Sequence, residues 1–287
     1  MLSYGKQKLR GTVVPLITPL LDPETPDTEG LRNMIEHVID GGVSGIFVLG
    51  STGEGPALPH AVRRQVVTES VRITSGRCTL LVNVSGDSPL DSIGSARFAE
   101  AAGADAVVAS PPCYLPLNDA ELTAFYQRLS ESVRIPVYVY NMPELTNVKI
   151  SMRALEKILP LPNIAGIKDS SGDMGFFKEI LTRFGKLDGL SIFMGPDALT
   201  RQALLLGADG GVNSGANWKP EVYSGLCRAA ADKKEEEMER CQRIILDVQN
   251  IYKCRSGSPG VIRGLKKVLA DMGLIRNILA FPGENLQ

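Results

Sequence analysis

The sequence predicts an α/β protein in which strands and helices alternate along the chain. Eight short apolar runs each end in turn-forming or small polar residues, and stretches with helical periodicity lie between them. Such alternation produces right-handed βαβ units and a parallel sheet. Because eight units of roughly 20–35 residues fit a closed barrel better than an open doubly wound sheet, we predict a (β/α)8 TIM barrel with a C-terminal helical extension.

The barrel strands are predicted from the apolar runs. In chain order they cover residues 13–18, 46–51, 80–85, 106–110, 137–141, 164–169, 191–195 and 210–214. Clear helical patterns lie at residues 31–39, 61–73, 92–102 and 122–132. Gly103 and Gly207 stand shortly before strands, in the sequences Ala-Gly-Ala-Asp and Gly-Ala-Asp, and we interpret them as structural helix C-caps.

We expect one structural unit, made of a barrel over residues 1–220 and a helical extension over residues 221–287 that packs on it. Residues 232–253 form an amphipathic pattern whose charged run at 233–237 indicates a solvated face. Residues 259–272 predict a further helix that is closed by Gly273. No linker rich in proline or glycine divides the chain.

The composition argues against several classes of function. Among 287 residues, 31 basic side chains nearly match 32 acidic ones, which gives no electrostatic case for nucleic acid or a membrane surface. No apolar stretch approaches the ~18 residues of a membrane span. Five cysteines without a Cys-x-x-Cys spacing favour a reduced, cytoplasmic protein. His37 and His60 do not lie at a strand end with a carboxylate partner, which argues against a histidine-ligated metal site and a Ser-His-Asp triad.

Lys168 is the most unusual residue of a predicted strand. It ends a short apolar run, and a polar, glycine-containing turn follows it directly. Burial disfavours the charged form of an amine, and a neutral, buried amine is what Schiff-base chemistry with a carbonyl substrate requires. The alternative is a lysine that extends to solvent or pairs with Asp169 or Asp173.

Other strand ends carry groups that are able to share a site with this lysine, because active sites of such barrels lie at the C-terminal ends of the strands. After the second strand, Gly-Ser-Thr-Gly-Glu-Gly offers backbone N–H groups and the hydroxyls of Ser51 and Thr52, a concavity suited to a carboxylate. The alternative is an ordinary turn between a strand and a helix.

Two tyrosines follow or end neighbouring strands. If Tyr140 and Lys168 both face the lumen of the barrel, they lie side by side, because neighbouring strands are about 4.8 Å apart. The alternative for Tyr140 is a core aromatic with a satisfied hydroxyl. Tyr114 follows the fourth strand on a rigid loop that contains two prolines.

Three motifs, in this order, resemble the dihydrodipicolinate synthase/N-acetylneuraminate lyase family. They are Gly-Ser-Thr-Gly-Glu after the second strand, Tyr-x-Tyr-Asn-x-Pro after the fifth and Gly-Ile-Lys-Asp-Ser after the sixth. The resemblance covers nearly the whole chain. It implies a class I enzyme that forms a Schiff base with pyruvate or another 2-oxo acid, needs no metal or organic cofactor, and assembles as a homotetramer.

The resemblance also implies roles for single residues. Lys168 is similar to the Schiff-base lysine, and Tyr140 to the phenol that relays protons at the reacting centre. Ser51 and Thr52 match the pair that holds the carboxylate of the 2-oxo acid. The remaining matches are Tyr114, a phenol that completes the relay from a neighbouring subunit, and Val212, an apolar position beside the bound acid. Polar groups expected on the pocket face are Ser170, Ser171, Asp197, Asn213, Ser214 and Asn217.

Two departures from the family patterns bear on the substrate. Dihydrodipicolinate synthases carry an arginine two residues after the Tyr-Asn-x-Pro motif, where this sequence has Leu145. Sialic acid lyases carry Asp-Glu after the glycine of the seventh strand, where this sequence has Asp197-Ala198. The Met-Pro-Glu-Leu-Thr run is more similar to 2-keto-3-deoxy sugar acid aldolases and sialic acid lyases.

We therefore predict a class I aldolase or lyase that forms or cleaves the bond between pyruvate and an aldehyde, with a 2-keto-3-deoxy sugar acid or N-acetylneuraminate-type substrate. One alternative within the family is a dihydrodipicolinate synthase with an atypical carboxylate clamp. A phosphate-binding barrel that uses the glycine-rich loops after the seventh and eighth strands is another. From a different class, the chain would be a non-catalytic protein that binds or senses 2-oxo acids.

Overall fold

Eight parallel strands close into a barrel in the computed structural model, which describes residues 8–115, 117–252 and 258–280. In chain order the strands are β1 Gly11–Pro15, β2 Gly45–Val48, β3 Thr79–Asn83, β4 Ala106–Ala109, β5 Val137–Asn141, β6 Ile164–Asp169, β7 Ser191–Met194 and β8 Gly210–Val212. Each strand pairs with the next along the chain, and β8 pairs with β1 to close the ring. The predicted (β/α)8 barrel is confirmed, and every predicted strand is present.

Helices follow the strands and cover the outside of the barrel. They are α1 Thr28–Asp40, α2 His60–Thr74, α3 Pro89–Ala102, α4 Asp119–Ser132, α5 Met152–Ile158, α6 Met174–Phe184, α7 Thr200–Leu205 and α8 Pro220–Ala231. Side chains cap several of them: Asn118 accepts the N–H groups of Ala120 and Glu121, and the Glu121 carboxylate accepts the Asn118 N–H in return. The predicted C-cap at Gly103 is confirmed by its left-handed φ of 98°.

Two further helices make up the end of the chain, α9 Glu235–Tyr252 and α10 Ser258–Asp271. They agree with the predicted segments 232–253 and 259–272, although Lys253 lies outside the described residues. The short features that were not predicted include an antiparallel hairpin of Leu20–Asp22 with Thr25–Pro26 and a one-turn helix at Pro143–Thr146. In the described part of the chain, no helix combines the length and the apolar character that crossing a membrane requires.

Side-chain alternation divides the barrel into two cores. Outward-facing residues such as Val14, Ile46 and Val139 pack against the helices, while Val13, Phe47 and others fill the lumen. The members of the lumen core are Val13, Phe47, Leu81, Ala106, Val108, Tyr138, Tyr140, Ala165, Phe193 and Val212. This inner layer is the floor on which the C-terminal ends of the strands present their polar residues.

A bulge in β6 sets the register of the lumen. Val137 pairs with Ile164 but Tyr138 pairs with Gly166, so β6 contains one extra residue at Ala165. Beyond the bulge Tyr140 is the direct partner of Lys168. Glycine is required at position 166, because a Cβ there would lie 2.5 Å from both the Tyr138 ring and the Ser191 carbonyl oxygen.

Candidate active site

Lys168 lies at the C-terminal end of β6 with its amine inside the barrel mouth. Its side chain is buried, with 7% of the residue exposed, and Nζ lies 4.2 Å from the centroid of the Tyr140 ring and 5.4 Å from that of Phe47. The amine therefore lies against two aromatic rings, and the contact with Tyr140 agrees with the predicted parity of β5 and β6.

Asp169 and Asp173, the carboxylates that follow this lysine in the sequence, have other partners. Asp169 accepts hydrogen bonds from Asn141 Nδ2 at 2.6 Å and from the Ser171 hydroxyl at 2.9 Å. Asp173 pairs with Lys149, with 3.4 Å between Nζ and Oδ2. The neighbouring carboxylates thus do not account for the inward position of Lys168.

The Tyr140 hydroxyl is electrostatically coupled to this amine. Burial raises the pKa of Tyr140, but the Lys168 charge and hydrogen bonds with Ser51, Lys168 and Ser170 lower it, and the net shift is downward from the ordinary value of 10.0. Tyr138, one pleat deeper in the lumen, shows the opposite effect, because burial raises its pKa to about 12. Of the two phenols on β5, Tyr140 is the one poised to exchange a proton.

These residues line a pocket of about 190 Å³ at the C-terminal mouth of the barrel. Eight of the twelve site residues expected from the sequence belong to its lining: Lys168, Tyr140, Ser51, Thr52, Ser170, Asp197, Val212 and Ser214. These residues end or follow five different strands, and they meet because the C-terminal ends of all strands lie at the same mouth of the barrel. The size of the pocket suits a small organic molecule.

The loop after β2 presents Ser51 and Thr52 to the pocket. Two residues that flank them have left-handed backbones, Leu49 with φ 60° and Glu54 with φ 56°. The loop is tightly packed, because a Cβ on Gly55 would lie 1.8 Å from the Leu49 carbonyl oxygen. Thr52 Oγ1 lies 2.8 Å from the Ser214 hydroxyl, so the loops after β2 and β8 meet beside the amine.

Asp197 lies in the pocket wall with its carboxylate already hydrogen-bonded. Oδ1 accepts the Ser214 N–H at 3.2 Å, and Oδ2 accepts the Gly215 N–H at 3.0 Å and the Tyr223 hydroxyl at 2.6 Å. These bonds tie the turn after β7 to the loop after β8. A residue that was predicted to bind substrate is thus seen to hold the loop that carries Ser214.

Tyr114 is one of the expected site residues that the pocket does not include, as are Ser171, Asn213 and Asn217. It lies on the loop after β4, is 83% exposed, and has a similarly exposed neighbour in Leu115. Its predicted role depends on a neighbouring subunit, and the single chain does not bring it to Lys168.

Several residues of the pocket were not predicted. Gln249 comes from α9, and Val261 and Ile262 come from α10, so the C-terminal helices form one wall. Met142 and Glu144 come from the turn after β5. An amphipathic pattern reveals that a helix has an apolar face but not which surface it covers, whereas Glu144 lay within a motif and was open to prediction.

Comparison with known proteins identifies the family of this chain. The model of the "Dihydrodipicolinate synthetase family" matches residues 8–283. The protein belongs to the dihydrodipicolinate synthetase family. The resemblance inferred from the three motifs is thereby confirmed, and it extends through the C-terminal helices.

Relatives within the family carry different names. "Probable 2-dehydro-3-deoxy-D-pentonate aldolase YjhH" of Escherichia coli is 32% identical over 248 residues, 86% of this chain and 82% of that protein. An N-acetylneuraminate lyase of Salmonella agona is 32% identical over 268 residues, 93% of this chain and 88% of the relative. The solved dihydrodipicolinate synthase of Bacteroides thetaiotaomicron is 36% identical, with a TM-score of 0.92 over 97% of this chain and 94% of that one. Family membership thus indicates a lyase or aldolase and leaves several substrates open.

A metal centre was not predicted for this family member. Within residues 8–115, 117–252 and 258–280, no group of three or more histidine, cysteine, aspartate or glutamate side chains is arranged to hold a metal ion. The polar residues that line the pocket are instead several with hydroxyl groups, Lys168, Gln249 and Glu144, besides Asp197, whose carboxylate is already hydrogen-bonded.

Proposed function

We propose that this protein is a class I aldolase or lyase that forms a Schiff base between Lys168 and a 2-oxo acid, pyruvate in the simplest case. The observation that carries the proposal is the buried Lys168 amine 4.2 Å from the Tyr140 ring, at the base of a pocket lined by Ser51 and Thr52. A buried amine against a phenol with a lowered pKa is the pair of groups that covalent catalysis on a ketone requires.

The reaction begins with attack of the neutral Lys168 amine on the C2 ketone of the substrate. The C=O bond is replaced by a C=N bond, and Tyr140 donates the proton with which the C2 hydroxyl group of the carbinolamine leaves as water. The product is a protonated iminium beside the Tyr140 phenolate. Ser51 and Thr52 donate hydroxyl hydrogen bonds to the substrate carboxylate, which orients C2 toward Nζ. The resulting positive charge makes the iminium an electron sink, so the chemistry is complete without a metal or an organic cofactor.

In cleavage, Tyr140 accepts the proton of the C4 hydroxyl. The C3–C4 bond breaks, its electrons enter the iminium to give an enamine, and the aldehyde departs. A proton then adds to C3, and water hydrolyses the iminium to release pyruvate and restore the amine. Bond formation between pyruvate and an aldehyde follows the same steps in reverse.

The walls of the pocket favour a neutral, hydroxylated aldehyde. No arginine occurs among the described residues that line it, and Leu145 stands outside the lining next to Glu144. A second carboxylate or a phosphate would lose water without a charge-assisted partner and would meet the Glu144 carboxylate. Hydroxyl groups would instead find Ser170, Ser214 and Gln249. We therefore propose a 2-keto-3-deoxy sugar acid or a similar substrate.

The family context extends the proposal to the assembly. The exposed Tyr114 and Leu115 fit a surface that a second subunit covers, and we propose a homotetramer in which Tyr114 reaches the relay of a neighbouring site. We also propose a cytoplasmic location, with pyruvate and an aldehyde as the small-molecule partners.

Reductive trapping tests the Schiff base. Incubation with pyruvate and borohydride should add one reduced pyruvate to Lys168, and peptide mass mapping should find it there. Lys168→Met, which keeps most of the side-chain volume, is the control and should take up none. Pyruvate bound without modification at Lys168 would contradict the class I mechanism and favour a binding or sensing protein.

A dihydrodipicolinate synthase is the second candidate, and the similarity to the solved Bacteroides thetaiotaomicron synthase favours it. Its aldehyde, aspartate semialdehyde, carries a carboxylate for which the position of Leu145 offers no cation. Turnover of pyruvate with a panel of aldehydes separates the two candidates. Inhibition by inorganic phosphate would point instead to a phosphate-binding barrel.

A further inference from the structure

A buried ion pair joins the loop after β2 to the C-terminal helix α10. The Glu54 carboxylate contacts the Lys266 ammonium, and both side chains are 0% exposed. Burial lowers the pKa of Lys266, and the charge of Glu54 opposes this shift. Two charges withdrawn from water are costly unless well paired and hydrogen-bonded, and nothing in the proposed chemistry uses either one.

Backbone groups at the end of the described chain complete the pair. The Ala280 N–H donates to Glu54 Oε2 at 2.8 Å, and Lys266 Nζ donates to the Ile278 carbonyl oxygen at 2.5 Å. The carboxylate and the ammonium thus each have a partner in the segment that follows α10. This network fixes Glu54 to the C-terminal extension from two directions.

Glu54 is also the residue that gives the loop its unusual shape. Its φ of 56° lies in the left-handed region, which is unfavourable for a residue with a side chain and persists only where the surroundings hold it. Ser51 and Thr52 lie between this residue and Leu49, the other left-handed position of the loop. The direction of the two hydroxyls therefore depends on a backbone that the ion pair anchors.

We propose that Glu54 and Lys266 are a positioning pair, which holds the loop so that Ser51 and Thr52 meet the substrate carboxylate. The proposal rests on the assignment of that loop to the 2-oxo acid. Neither side chain touches the substrate. The pair acts by keeping in place a loop conformation that would otherwise relax, and it makes the C-terminal helices part of the binding site.

The test compares pyruvate binding to wild type and to Glu54→Gln/Lys266→Met, which removes both charges and leaves no buried ion unpaired. Calorimetry should show a dissociation constant for pyruvate raised at least about tenfold, which corresponds to about 1.4 kcal/mol. The maximal rate of borohydride trapping at saturating pyruvate should stay within about threefold of wild type, because Lys168 and Tyr140 are unchanged.

A matched control removes a partly buried ion pair from the opposite end of the barrel. Lys8 and Asp209 lie 3.2 Å apart there, and Lys8→Met/Asp209→Asn should leave pyruvate binding unchanged even if it lowers the melting temperature. Equal weakening of pyruvate binding in the two double variants would overturn the proposal, because it would indicate a general loss of stability.

A milder variant decides the matter if the double variant does not fold. Ala280→Pro removes the N–H that donates to Glu54 and leaves both charges in place, whereas Ala280→Val keeps that N–H. Weaker pyruvate binding in the proline variant alone, by about threefold, supports the positioning role, and equal binding in both overturns it.

Wild type that binds pyruvate without forming an adduct would refute the Schiff base but not the positioning pair. Wild type that does not bind pyruvate would overturn both proposals.

Discussion

Lys168 and Tyr140 are direct partners in the β5–β6 ladder, and the lysine amine lies 4.2 Å from the centroid of the tyrosine ring. The contact is fixed by backbone pairing, so it does not depend on the tyrosine hydroxyl. Packing and proton transfer by Tyr140 can therefore be separated by a single substitution.

Tyr140→Phe should fold as wild type and lose most of its turnover. The ring that supports the amine stays, while the hydroxyl that exchanges the proton is removed. General acid–base groups contribute roughly 10²–10⁴-fold, so we expect kcat to fall within that range. Steady-state kinetics with circular dichroism as the folding control check this, and near-normal turnover would assign the phenol to packing.

The rate of the cleavage reaction should depend on pH through Tyr140. The lowered pKa of this phenol means that the form able to accept a proton is populated below pH 10.0, the ordinary value. We therefore expect kcat/KM for cleavage to rise with pH and to level off below pH 10.0. In Tyr140→Phe, this rise of kcat/KM with pH should be absent. An identical pH profile in both proteins would assign the rise to another titrating group.

Glu144 should discriminate between charged and neutral aldehydes. Glu144 lines the pocket, so wild type should prefer glyceraldehyde to aspartate semialdehyde by at least about tenfold in kcat/KM, or about 1.4 kcal/mol. Leu145→Arg should narrow that gap by supplying a cation. Glu144→Gln should raise kcat/KM for glyceraldehyde 3-phosphate but leave that for glyceraldehyde unchanged.

Aspartate semialdehyde as the better substrate of wild type would reverse the assignment and identify a dihydrodipicolinate synthase. Equal activity of Glu144→Gln and wild type toward the phosphorylated aldehyde would remove Glu144 from the specificity argument. Asp197 offers a contrast, because its carboxylate is engaged by Ser214, Gly215 and Tyr223.

Gly166→Ala should destabilise the barrel. The added Cβ would lie 2.5 Å from the Ser191 carbonyl oxygen, a backbone atom that cannot move freely, and equally close to the Tyr138 ring. Overpacking of this kind costs about 1–3 kcal/mol, measurable by urea denaturation. Gly94→Ala in α3 is the matched control, since nothing lies within 4 Å of its Cβ. It should be neutral or stabilising by up to about 1 kcal/mol, and a similar loss in both would exclude the clash as the cause.

The sequence was sufficient for the fold and for the contact between Lys168 and Tyr140 because both follow from short-range rules. Alternating apolar runs predicted the strands, and the C-terminal ends of parallel strands in a barrel meet at one mouth. Parity then placed Tyr140 beside Lys168, although the bulge at Ala165 that sets their register was not foreseen.

Long-range contacts were the part that could not be predicted. The apolar face of α10 does not indicate that Ile262 covers the barrel mouth, and no local pattern links Glu54 to Lys266. Asp197 was correctly placed in the pocket wall, but its hydrogen bonds to the loop after β8 depend on how two loops meet. Such pairings are decided by tertiary packing rather than by periodicity or spacing.

The wall contributed by α9 and α10 bears on the order in which the protein is made. Ribosomes synthesise a chain from its N-terminus, so Lys168 and the loop after β2 are synthesised before Gln249 and Ile262. A nascent chain that has already produced all eight strands still has a pocket open on one side. The pocket is complete only once α10 has been synthesised, so a chain that stops before that helix cannot present it.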